Sequence, residues 1–197
     1  MRLSYLSKRK LRQMANTPQR YVALLRGVNV GGKSLIKMSD LSQGLTAMGF
    51  SEVSTYIQSG NVLFSSTSRN EQSLASEIER AIYGLFGLEV KAVVISSWQL
   101  SEIVSAMPDK WGSDASWKYN TLFLLPPCSQ DDVLTAIGEL KPDIEQLIPA
   151  KGAILQSIEF SSFGRSRTGK LAALPVYKQI TIRNYNTTMK LLELLQK

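Results

Sequence analysis

The segment Tyr21-Val22-Ala23-Leu24-Leu25 is apolar at every position, and this constrains the fold of the chain more than any other feature. Successive side chains of a strand point to opposite faces. A strand without polar alternation therefore belongs in a sheet covered on both sides. Val93-Val94-Ile95 repeats the pattern. A sheet that reads RNA needs one open face with stacking aromatics, and these runs lack that pattern.

The remaining periodicities set an order around these strands. After the strand at 21–25 comes a glycine-rich loop at 26–33. A helix follows with Leu41, Leu45 and Met48 on one face, Ser39 as its expected cap and Gly49 as its end. Strands at 53–57 and 62–64 flank Ser59-Gly60-Asn61, read as a tight hairpin turn. A helix at 71–86 carries Leu74, Ile78, Ile82 and Leu85, and a strand at 90–95 closes the unit. A short helix at 99–106 leads to a second pass: strand 121–125, helix 131–140, strands 145–148 and 153–160, short helix 169–176, strand 180–183. A helix at 187–196 ends the chain. Two successive βαββαβ orders predict an α+β protein of two ferredoxin-like (α/β-plait) subdomains with antiparallel sheets, plus a C-terminal helix. The expected divisions are a basic head at 1–19, a first subdomain at 20–97, a connecting helix and loop at 98–117, and a second subdomain at 118–197.

Composition narrows the chemistry. The chain has no histidine and one cysteine, Cys128. Ser-His-Asp and Cys-His catalysis, histidine-ligated metals and structural zinc are thereby excluded. No cofactor or metal is expected, and a lone cysteine suits a cytoplasmic location. No apolar run has the length of a bilayer span, so no membrane partner is expected. The net charge of +7 is concentrated at the start: Arg2, Lys8, Arg9, Lys10 and Arg12 leave 18 cations against 16 anions elsewhere. Met14 precedes the first strand and would make a sensible start, with the head frayed or upstream of it.

Three polar clusters are candidates for ligand contact. The first, Arg26 to Ser34, includes Asn29, Gly31, Gly32 and Lys33, and its Gly27-to-Ser34 stretch matches the phosphate-loop pattern G-x-x-x-x-G-K-[ST]. The pattern requires a helix opening at Gly32-Lys33, whereas the capping and apolar signals begin later. The glycines are therefore read first as a tight turn, then as a different anion site, and last as a working phosphate loop. The second cluster is Tyr56, Gln58, Ser59 and Asn61. In a split-βαβ unit the first two strands run parallel, which brings both clusters to one sheet edge. The third is Arg183, Asn184, Asn186 and Thr187, where Asn186 or Thr187 is expected to cap the last helix and Arg183 adds a cation at a helix N-terminus.

The motifs YVALLRGVNVGGK (21–33), TYIQSGNV (55–62) and TIRNYNTTMK (181–190), with Met38, resemble the bacterial family called domain of unknown function 1697. The resemblance covers about residues 20–195 and implies two α/β-plait subdomains but no activity. Relatives commonly carry Asn where this chain has Ser34, so by this resemblance the phosphate-loop match is a coincidence of this sequence.

The sequence thus points to a binding protein for a small phosphate- or carboxylate-bearing ligand at the polar edge. Arg26 and Arg183 are expected to share one site with Asn29, Gln58, Asn61 and Asn186. One alternative is a histidine-free enzyme with Lys33 or Tyr56 as proton donor. The other is a nucleic-acid-associated protein using the basic head and the loop of Arg165, Arg167 and Lys170; oligomeric state is not legible. The phosphate-loop reading is directly testable. No magnesium-dependent ATP or GTP hydrolysis above background is expected, and activity abolished by Lys33→Ala would overturn this assignment.

Overall fold

The computed structural model describes residues 17–29 and 35–197; residues 1–16 of the basic head, and Gly31, Gly32 and Lys33, lie outside them. The first unit comprises β1 (Gln19–Leu25), α1 (Met38–Ala47), β2 (Ser51–Tyr56), β3 (Asn61–Ser66), α2 (Glu71–Phe86) and β4 (Ala92–Ser96). After α3 (Ser97–Ser105), the second has β5 (Trp117–Leu124), α4 (Gln130–Ile137), β6 (Glu145–Ala150), β7 (Ala153–Glu159) and β8 (Ile180–Asn184), and α5 (Tyr185–Leu195) follows. The two sheets have the matching orders β2-β3-β1-β4 and β6-β7-β5-β8, antiparallel throughout. These are two ferredoxin-like units with a C-terminal helix.

Each sheet is covered on both faces. Tyr21, Ala23 and Leu25 of β1 face α1 and α2, packing with Leu41, Leu45, Ile78 and Ile82. Val22 and Leu24, on the opposite face, join Leu63, Val93 and Ile95 in a core shared with Phe123 and Leu155 of the second sheet. Leu100 and Ile103 of α3 and Leu191 and Leu195 of α5 complete that core. The far face of the second sheet packs Leu122 and Ile154 against Val133, Ile137, Leu171 and Val176. The absence of alternation in β1 thus records a strand that serves two cores at once. Among the described residues no helix is long and apolar enough to cross a membrane.

Several local expectations need correction. α1 starts at Met38 with Lys37 as its N-cap, and the Ser39 hydroxyl donates to Asp40 rather than capping. The helix expected at 169–176 is instead three 3-10 segments, Phe160–Arg165, Thr168–Ala173 and Pro175–Gln179. Gly164, Gly169 and Pro175 interrupt that stretch too often for an α-helical run. α5 begins at Tyr185, capped by Asn184, whose side chain accepts from Thr187 N–H at 2.8 Å. Neither Asn186 nor Thr187 is the cap.

A buried carboxylate holds the 3-10 region. Glu145, 1% exposed, accepts from the backbone N–H groups of Lys141 (3.0 Å), Arg167 (3.0 Å) and Thr168 (2.8 Å) and from the Thr168 hydroxyl (2.9 Å). Burial raises the pKa of this carboxyl, but the backbone donors of Arg167, Thr168 and Lys141 and the Thr168 hydroxyl outweigh it, leaving it below 4.5. A depressed folded-state pKa contributes stability above the unfolded value of 4.5, and that contribution fades as pH falls through the folded value. Glu145→Gln should therefore cost about 1–3 kcal/mol at pH 7 in urea unfolding. The difference from wild type should shrink below pH 4.5. A gap that is constant with pH would contradict this role.

Candidate functional site

β1 and β2 are each antiparallel to β3, so they run the same way and deliver their following loops to one end of the sheet. Leu25 N–H donates to Gly60 O at 2.8 Å and joins the two loops. The hairpin is longer than the tight turn read from the sequence. It spans Ile57 to Gly60, both at positive φ (49° and 72°), and Asn61 opens β3. A Cβ at Gly60 would lie 2.8 Å from the Leu25 Cβ, so close approach as well as φ requires glycine there.

Two asparagines organise this corner. Asn29 sits at φ 56°, a left-handed conformation that asparagine tolerates better than most residues. Its Nδ2 donates to Ile36 O (2.9 Å) and Gln58 O (2.8 Å), and its Oδ1 accepts from Ile36 N–H (2.8 Å). One side chain therefore ties Ile36 to the hairpin at Gln58. Asn61 is fully buried; its Nδ2 donates to Tyr56 O (3.0 Å) and Ser59 Oγ (3.2 Å), and its Oδ1 accepts from Arg183 Nε.

Arg183 enters this corner from the second unit. Its Nη2 donates to Leu25 O (3.0 Å) and Gly60 O (3.1 Å), and its Nη1 to Thr181 Oγ1 (2.9 Å) and Ile182 O (2.8 Å). With Nε on Asn61, every N–H of the guanidinium has an acceptor. Burial pulls its pKa down to about 10, so it remains charged at neutral pH. Arg26 makes the reverse crossing. Its Nε and Nη2 donate to Ile180 O and Tyr177 O, both at 3.2 Å, and its guanidinium lies 5.4 Å over the Tyr177 ring. The Thr181 hydroxyl also donates to Leu25 O at 3.3 Å. Arg26, Asn29, Ser59, Asn61, Arg183 and the Gln58 backbone thus meet in one network along the seam between the units.

The other candidate residues are used differently. Tyr56 packs against the core between the sheets, Asn184 caps α5 by accepting from the Thr187 N–H, and Asn186 is exposed. α1 opens at Met38, not at Gly32-Lys33, so its N-terminus is not where the phosphate-loop pattern requires it. Among the described residues no cluster of His, Cys, Asp or Glu side chains is grouped to hold a metal. Burial and the nearby Asp132 push the Cys128 thiol above its ordinary pKa, which disfavours the nucleophilic thiolate.

A cleft that the sequence reading missed lies beside the seam. It has a volume of about 600 Å³, within the usual range for small-molecule sites. α2 and the edge strand β4 form one wall. The other comes from the second unit, with Leu125, Pro126, Gly152 and Gln179. Lys91, Lys151 and Lys178 also line it. Lys91 pairs with Glu79 at 2.9 Å and Lys151 with Glu102 at 3.4 Å, while Lys178 makes no ion pair among the described residues. No sequence signal marks this site, because its walls come from distant segments brought together only by the packing of one unit on the other.

Asn29→Ala removes three hydrogen bonds and places alanine at positive φ, and should cost about 2–3 kcal/mol in urea unfolding. Asn29→Gly relieves the backbone term and should recover about 1 kcal/mol of that loss. Equal losses in the two variants would remove the backbone part of the argument.

The comparisons agree with this architecture. A conserved bacterial protein, SP0830 from Streptococcus pneumoniae, has a solved structure similar to this chain, with a TM-score of 0.78 and 28% sequence identity. The alignment covers 91% of this chain and 99% of that one. The comparison with curated proteins found no match. The model of the family described as "Protein of unknown function (DUF1697)" matches residues 19–154, and the chain belongs to that family.

Proposed function

We propose that this protein binds a small ligand in the cleft between its two units, with an apolar body against β4 and β5 and an anionic group, phosphate or carboxylate, at Lys178. The observation that carries this reading is a 600 Å³ cleft walled by both units, with apolar Val93, Ile103 and Leu125 along it and an exposed, unpaired lysine at its rim. The loop-edge cluster supports the site indirectly. Arg26 and Arg183 spend their donors on backbone and side-chain oxygens across the seam, and so fix the distance between the walls. An anion at Arg183 would have to displace those acceptors, whereas one at Lys178 displaces only water. Tyr56, half-buried against the shared core, lends no support to the proton-donor role of the enzyme alternative.

A thermal-shift panel of nucleotides, sugar phosphates and organic acids tests the proposal, because a ligand specific to the folded state raises its stability by mass action. At least one compound should raise the melting temperature, and Lys178→Ala should weaken that compound about tenfold without lowering the melting temperature of the free protein. Stabilisation that survives Lys178→Ala and Lys151→Ala unchanged would place the ligand elsewhere.

A further inference from the structure

The cleft contains the free edge of a sheet. β4 stands at the end of its sheet and bonds only to β1. The register pairs Val22 with Ile95 and Leu24 with Val93, and Arg26 N–H donates to Lys91 O at 2.8 Å. Antiparallel alternation then turns the N–H groups of Val93 and Ile95 toward β1, and those of Ala92, Val94 and Ser96 outward. Side chains take the outer two: Glu79 Oε1 accepts from Ala92 N–H and Gln99 Oε1 from Ser96 N–H, both at 2.9 Å. Val94 lies between them, its N–H and C=O directed away from β1, and Val94, Glu79 and Gln99 all line the cleft. The edge is closed at both ends and open at its centre, inside a cavity. An exposed strand edge is a template for pairing with one more strand.

The charges give that strand a direction. Arg26 bonds both to Lys91 O and to Tyr177 O, which brings Lys91 and the neighbouring Lys178 to the Ala92 end of β4. The Tyr21 hydroxyl donates to Ser68 O at 2.9 Å, and Tyr21 is the register partner of Ser96. The N-terminus of α2, with Glu71, therefore stands at the opposite end. A chain antiparallel to β4 runs its C-terminus toward Ala92, placing a terminal carboxylate at Lys178 and a terminal ammonium toward Glu71.

We propose that the ligand of the cleft is a short extended peptide with free termini, paired antiparallel with β4 through two hydrogen bonds to Val94. The proposal rests on the cleft being the binding site and names its ligand class. The five residues of β4 match a peptide of about five residues.

The test uses the full chain labelled with ¹⁵N, titrated with a random pool of unblocked pentapeptides. The same pool amidated at the C-terminus, a backbone N-methylated pool, sodium phosphate and sodium citrate are titrated in parallel. The unblocked pool should shift the Val94 amide resonance and slow its hydrogen exchange at least tenfold. Amidation, or Lys178→Ala, should weaken this about tenfold, and N-methylation should abolish it. Equal effects of the unblocked and N-methylated pools would overturn strand pairing. Phosphate or citrate perturbing the cleft while no peptide reaches Val94 would overturn the peptide and leave the anion-binding cleft standing. No response at cleft residues to any probe would overturn both.

Discussion

Arg183 is a charge buried across a boundary, and the arrangement of the two units depends on how it is satisfied. The guanidinium is 6% exposed and has no carboxylate partner among the described residues. Removing an ion from water is costly unless its donors are met, and here backbone carbonyls and two side-chain oxygens meet them. Leu25 O is available because β1 has just ended, and Gly60 O because the hairpin turns there. Asn61 Oδ1 is held in place by the bonds of its own amide to Tyr56 and Ser59. The cage exists only when both loops of the first unit are formed and β8 lies against them. Local folding and docking are thereby coupled.

The apolar contacts between the units are consistent with that coupling. Val22 and Leu24 face Phe123 and Leu155 in a core to which α3 and α5 also contribute. Burial of this kind is favourable but non-directional, and tolerates sliding. The two arginines supply direction: Arg26 reaches into the second unit as Arg183 reaches into the first. The cleft between β4 and the second unit inherits its width from this pair of crossings. If a ligand binds there, the seam is what preorganises its site.

The elements of the fold were legible because their signals are local. Unalternating apolar runs marked β1 and β4, and the spacing of Leu74, Ile78 and Ile82 marked α2. The 3-10 region was misread because residues 160–179 carry apolar residues at helical spacing while Gly164, Gly169 and Pro175 break the run. Glu145 gave no warning either, since three of its four donors are backbone N–H groups that leave no trace in residue identity. Parallel β1 and β2 place Arg26, Asn29, Ser59 and Asn61 at one end of the first sheet. Their use in the seam was hidden, because Arg26 and Arg183 have the same residue type whether they meet a ligand phosphate or a backbone carbonyl. The cleft itself depends on the orientation of one unit on the other, which no local pattern encodes.

The central claim is that Arg183 stabilises the protein through oxygens of the other unit, and a double-mutant cycle tests it most directly. Urea unfolding of Arg183→Met, Asn61→Ala and the double variant gives a coupling free energy between the two positions. The seam predicts a coupling of about 1–3 kcal/mol, because either substitution alone breaks the same buried bond. Additive losses, with coupling near zero, would mean that Arg183 and Asn61 act independently, and would contradict the account of how the two units are joined.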